Sequence, residues 1–278
     1  MEIDIAEQGA FCLDSALSAD EARGRASAHK GSAFGAMAKL FARPKDEDIQ
    51  VEELGLCYVP MWHAKAHLRF VYDRRETYKV PIKAAHVKSV TIGAKDYSLS
   101  AASAPAVELP AVEHCERDEQ RELWLDGLTS QAMNAQPYLK AGTTPISLDS
   151  FAPESAKIVA PTVRASAVIG TLLGKDFRPT DADEIKEEAV RVDCIDLHFR
   201  PTYGFKFVWA AKNKSADVVM DGITGEIKAE PSAASSALGK LLHPDTLFDL
   251  GAETLNLVVP GGSIALKVVR AISDRTKA

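Results

Sequence analysis

The chain has little of what marks a dedicated chemistry. Its 278 residues include four cysteines, Cys12, Cys57, Cys115 and Cys194, with no CxxC pair among them. That spacing excludes a dense disulfide framework and a zinc ribbon, and leaves four free, reduced thiols as the expectation. No apolar run approaches the roughly 18–20 residues of a transmembrane helix. The first seventeen residues carry Glu2, Asp4, Glu7 and Asp14 and no basic side chain, so the cationic start of a signal peptide is missing. A cytoplasmic location without a membrane span is the resulting expectation. Positive charge is also in short supply. A formal net charge of −6 argues against a nucleic-acid partner, which would call for a basic footprint. There is no G-x-S-x-G elbow. Gly170 to Asp176 approximates a phosphate loop but fails its spacing and sets Asp176 where a hydroxyl belongs. The acidic clusters at Asp46–Asp48 and Asp181–Glu188 lack the glycine and spacing of an EF-hand.

What is present is a well-populated apolar fraction, 46% hydrophobic beside 26% charged, ordinary for a globular chain. The length allows one large or two medium domains. The clearest signal is Tyr203, Phe205, Phe207 and Trp209 at every second position. A strand sends alternate side chains to opposite faces, so these four form one apolar stripe. Asp221-Gly222 follows as a turn, because glycine tolerates the backbone that a reversal requires.

An earlier stretch reads as a divergent copy. Arg43-Pro44 and Arg178-Pro179 each open onto an acidic turn, and each is followed by a proline, Pro60 or Pro201, that precedes an aromatic-bearing strand. Trp62 then corresponds to Tyr203 and Lys65 to Lys206, and Asp126-Gly127 echoes Asp221-Gly222. Residues Ser18–Ala42 and Ala160–Gly174 read as helices ahead of the two copies. Val51–Tyr58, Met61–Tyr72, Thr77–Lys83 and His86–Ile92 read as four strands with a polar turn at Asp73–Glu76. Val112–Leu125 reads as a hairpin tip, and Ser232–Leu242, Asp245–Leu250 and Ser263–Ser273 as closing helices. The expected fold is therefore α+β: two tandem, divergent modules of helix plus antiparallel β-meander, residues 1–150 and 151–278, with C-terminal helices.

Val218 to Glu230, VVMDGITGEIKAE, resembles the closing hairpin of a PepSY-type repeat, in which a helix is followed by a strand, a D-x-x-TGE turn and a second strand. In the first copy Ser130-Gln131 stand in place of Gly-Glu. The resemblance implies a small binding or inhibitory module in place of an enzyme.

One strand offers a candidate surface. His63, Lys65, His67 and Arg69 alternate along Met61–Val71 and project together, an arrangement suited to an anionic ligand or an acidic partner. Lys206 is the counterpart of Lys65. No metal or cofactor site is expected, since His63 and His67 could share an ion only with help from a neighbouring strand. His114 and Cys115 point to opposite faces of a strand, so they form no nucleophile–base pair, and no catalytic residue is nominated. Two functions remain open. One is a non-enzymatic binding or scaffold protein that meets a protein partner through a sheet surface or the groove between modules. The other is a hydrolase or other enzyme whose site joins distant residues such as His63, His67, Asp126 and Glu226. A deep polar pocket uniting those four would favour the second.

Overall fold

A computed structural model describes residues 2–34, 46–83, 86–99, 105–148, 150–153, 155–231 and 265–268. The architecture is predominantly β, with a ten-stranded mixed sheet and two α-helices among the described residues. The α+β modules expected from the sequence are not formed. Three very long strands dominate: β3 (Ile49–Pro81), β6 (Ala106–Asp126) and β9 (Glu184–Trp209). Strand β3 runs antiparallel to β9 from Ile49↔Trp209 to Asp73↔Glu184, and to β6 from Met61↔Asp126 to Pro81↔Ala106. The other edge of β9 carries in turn β1 (Glu2–Ile5), β2 (Gly9–Leu13) and β10 (Lys214–Asp221), and β10 pairs with β11 (Ile227–Pro231). Short strands β7 (Thr143–Pro145) and β8 (Ala156–Ile158) join β2 and β3. Strands β4 (Ser89–Ile92) and β5 (Lys95–Ser98) make a separate hairpin.

Several expected breaks are absent. Residues 51–58, 61–72 and 77–81 belong to one strand, and the charged run 116–122 is a straight part of β6. Charge pairing keeps the chain extended at the supposed turn: Asp73 bonds His114 and Lys186, while Arg74 bonds Glu113 and Asp181. Residues 265–268 form strand β12, parallel to β1, where a helix was expected. The candidate helices at 232–242 and 245–250, and the end of the helix expected at 18–42, lie outside the described residues.

The centre of the sheet has a local two-fold relation, and its axis explains why no separate modules exist. Pro60 faces Phe199 and Pro201 faces Tyr58, so the offset of 141 between the prolines also relates Tyr58 to Phe199. Val59 and Arg200 sit opposite one another on the axis. At each end an Asp-Gly turn docks on the proline. Gly127 N–H donates to the Pro60 carbonyl at 3.0 Å, and Gly222 N–H to the Pro201 carbonyl at 2.8 Å. A Cβ on Gly127 would fall 2.8 Å from the Pro60 carbonyl oxygen, closer than contact allows. The aspartates act alike: Oδ1 of Asp126 accepts from the N–H groups of Leu128 and Thr129, and Oδ1 of Asp221 from those of Ile223 and Thr224.

The helices cross between the halves. Helix α1 (Ala19–Ser27) opens on a capping box of Ser18 and Glu21 and buries Ala22 and Ala26 with Phe205, Phe207, Trp209 and Val218. Helix α2 (Ala165–Leu173) presents Ala165, Val168, Ile169, Leu172 and Leu173, a spacing that makes one apolar face. That face packs on Trp62, Ala64, Ala66, Leu68 and Phe70 of β3, with Val190, Val192, Ile195 and Leu197 of β9. Each entry is pinned in the same way. Trp62 Nε1 donates to the Val163 carbonyl at 2.8 Å, and the Tyr203 hydroxyl donates to the Leu17 carbonyl at 2.8 Å. Helix α1 therefore covers strands of the second half, and α2 lies across β3 of the first half and β9 of its own, which overturns the expected separate helix-then-meander modules. No helix among the described residues is long and apolar enough to cross a membrane.

Candidate functional site

Opposite the α2 face, β3 and β9 bring polar side chains together. On β3 the residues Met61, His63, Lys65, His67 and Arg69 share this face, because their even-numbered neighbours enter the core. On β9 the same face receives Cys194, Asp196, His198 and Arg200, while Ile195, Leu197 and Phe199 go inward. A register shift where Lys65↔Cys194 gives way to Ala66↔Val192 leaves Asp193 as the extra residue. This bulge lets Val190 and Val192 stay on the core side.

The four nominated basic residues are all engaged with carboxylates. His63 Nε2 lies 2.9 Å from Glu122, Lys65 Nζ 3.3 Å from the same carboxylate, and His67 Nε2 2.6 Å from Asp118. Arg69 reaches Glu116 at 3.1 Å and Glu187 at 3.5 Å. The strip is thus interleaved in charge. Lys206 lies on the same face, opposite Glu52 and Asp217 in register. It stands eight residues along β9 from His198, about 26 Å away at the rise of a strand, so it takes no part in the His63 environment.

Sequence reasoning missed the residues that join His63. Its register partner is Asp196, and His198 lies two positions further along β9 opposite Met61. Ligand atoms of His63, Asp196 and His198 all fall within 4.8 Å of one another. Trp124 stacks on His63 with ring centroids 4.0 Å apart, and Phe11 stacks on His198 at 5.1 Å. His198 is 9% exposed, and neither of its ring nitrogens has a hydrogen-bond partner. Desolvation, and secondarily the nearby His63, pushes its pKa down to about 4. The ring is therefore neutral near pH 7, with a lone pair on one nitrogen. Asp196 accepts the Gly9 N–H at 3.1 Å. Cys194 Sγ stands 3.8 Å from His63 Nδ1. Burial first, and Asp196 next, push that thiol up to about 11, so it is no thiolate nucleophile at neutral pH. All four cysteines are free.

The local two-fold relation gives this constellation a control. The register pair His63↔Asp196 is related to the pair Gly204↔Gly55, and Met61↔His198 to Thr202↔Cys57. In the other half, Cys57 belongs to an apolar cluster with Val59, Val159 and Val219. In that half the related positions carry Gly204, Gly55, Thr202 and Cys57, and the backbone departs from ordinary strand there, with Gly55 at φ 101° beside a register shift.

A second feature is the β3–β6 ribbon. Beyond Asp73↔Glu184, β9 ends, yet β3 and β6 continue paired to Pro81↔Ala106. Those eight further pairs extend about 26 Å as a two-stranded arm. Tyr78 is 50% exposed, Val80 42% and Val112 51%. Tyr78 and Val80 continue the strand face that α2 and β9 bury lower down, at Leu68 and Phe70. Searches against protein-family models, curated proteins and solved structures find no match for the chain.

Proposed function

We propose that this is a non-enzymatic binding protein that meets a protein partner through a sheet surface, the β3–β6 arm. The carrying observation is that a paired ribbon leaves the body of the sheet with bulky apolar side chains on it, Tyr78 and Val80 on one face and Val112 on the other. A two-stranded ribbon has little packing of its own; Val107, opposite Val80, is covered, while Tyr78, Val80 and Val112 stay exposed for a partner to cover. The unpaired edge of β3 beyond Asp73 also offers backbone groups for strand addition. Pro81 and Pro110 near the end limit uncontrolled edge pairing. The distant residues considered for an enzyme do not converge. Asp126 is held by Arg200 at 3.0 Å on the two-fold axis, and Glu226 lies on the surface beside Lys228 at 3.8 Å.

The test is site-directed photocrosslinking in cells of the native host. A photoreactive residue at Tyr78 should give a discrete heterologous adduct that disappears when Val80 and Val112 are changed to serine. The same residue at Leu139, which is 58% exposed beside the Tyr138–Arg200 contact at the centre of the sheet, should not. Equal labelling from both positions, or none from Tyr78, would refute the arm as the docking element.

A further inference from the structure

We propose that His63, Asp196 and His198 form a binding site for one divalent transition-metal ion of the zinc class. The inference is independent of the arm and of whatever partner it meets. Three observations converge on it. The three side chains come from two adjacent strands and place their ligand atoms within 4.8 Å of one another. His198 is nine-tenths buried with both ring nitrogens unpartnered, an arrangement that is costly unless something supplies the missing interaction. And Glu122 holds His63 Nε2 at 2.9 Å, which turns Nδ1 to the site, where its neighbour is the Cys194 thiol at 3.8 Å, a contact an ion would displace or share. A ligating histidine characteristically donates its other N–H to a carboxylate, which fixes the tautomer and raises the ring's basicity.

The donor set selects the class of metal. Two imidazoles and one carboxylate suit zinc, iron(II), cobalt and nickel, whereas magnesium and calcium prefer sites built wholly from oxygen. Asp196 can serve while still accepting the Gly9 N–H, because a carboxylate offers about four lone-pair positions on two oxygens. The stacked rings of Trp124 and Phe11 restrict rotation of the two histidines, so little ordering remains to be done on binding.

The test uses the full chain, stripped with chelator and titrated with Co²⁺ and, by competition with a chromogenic chelator, with Zn²⁺. One equivalent should bind, with a visible d–d band for Co²⁺ and a raised melting temperature, while Mg²⁺ produces neither. His198→Phe keeps the aromatic packing and should abolish the saturable binding, while the metal-free protein melts at or above the parent temperature. Asp196→Asn should weaken binding sharply, and Glu122→Gln about 10–100-fold through the His63 tautomer. His67→Phe, four residues along the same strand, should change nothing. Binding that survives both His198→Phe and Asp196→Asn, binding lost in His67→Phe, or no uptake beyond that of Mg²⁺ would each overturn the assignment.

Discussion

Arg200 sits on the two-fold axis, and its replacement tests how the sheet is held. Its guanidinium donates to Asp126 Oδ2 at 3.0 Å through Nη2, and to Asp221 Oδ2 at 3.1 Å through Nη1. Tyr138 adds a hydroxyl bond to Asp221 at 2.8 Å. The side chains are 14% exposed for Arg200, 18% for Asp126 and 8% for Asp221, so neither carboxylate can turn to water for a substitute. Arg200→Met removes the cation that bonds both of them. Breaking a buried pair from one side costs about 3–5 kcal/mol, because the remaining charge is left uncompensated. That is a large share of the roughly 5–15 kcal/mol that holds a domain folded. The triple variant Arg200→Met, Asp126→Asn, Asp221→Asn keeps the Oδ1 acceptors that form both turns and removes the stranded charges. It should recover most of the loss. Urea unfolding followed by circular dichroism measures all three proteins. A single variant within about 1 kcal/mol of the parent, below the range for a broken buried pair, or a triple variant no better than the single, would refute the axial clamp.

Phe205→Ala should destabilise by about 3–5 kcal/mol, since Phe205 is buried with Phe207, Trp209 and Val218 beneath α1; a urea midpoint close to that of the parent would contradict this packing. Glu119 should govern part of the acid limb of stability. Its hydrogen bond from Arg117, with a further one from Arg121, holds its pKa at about 2 against an ordinary value of 4.5. A depressed carboxylate contributes stability above the unfolded pKa and loses it as pH falls towards the folded one. The contribution should therefore be complete above about pH 4.5 and fade towards pH 2, and it is modest because Glu119 is 37% exposed. Urea midpoints of Glu119→Gln at pH 5, 4 and 3 should fall less steeply than those of the parent; parallel curves would exclude the role.

The aromatic alternation of Tyr203 to Trp209 and the two Asp-Gly turns were legible because strand period and turn chemistry are local. The unbroken length of β3 was not. Around Asp73–Glu76 the chain is charged on both faces, and such a stretch looks like a turn until Glu113, His114 and Asp181 supply the opposite charges from distant parts of the sequence. The bulge at Asp193 shifts the phase of β9, so simple alternation from Val190 and Val192 would place Cys194 inward, whereas it faces His63. Asp196 and His198 carry no signal of their own in the sequence. Their meaning emerges only when β3 is laid antiparallel on β9 about Pro60 and Pro201, which sets Asp196 against His63. The matched prolines were visible in the sequence; the pairing of the two strands they sit in was not.

The crossing of the helices has a consequence for the order of folding. Helix α1 is synthesised nearly two hundred residues ahead of β10, which ends at Asp221 and completes the surface the helix covers. Until then Phe205, Phe207, Trp209 and Val218 do not exist for Ala22 and Ala26 to meet. The strand face of Trp62 to Phe70 likewise waits uncovered for α2. Contacts so distant in sequence slow folding, and a nascent chain with an open apolar β-face is exposed to aggregation. Cut between its halves, the molecule would yield a first fragment whose helix α1 has lost Phe205, Phe207 and Val218, and whose β3 face has lost α2, so only reassociation would close both cores.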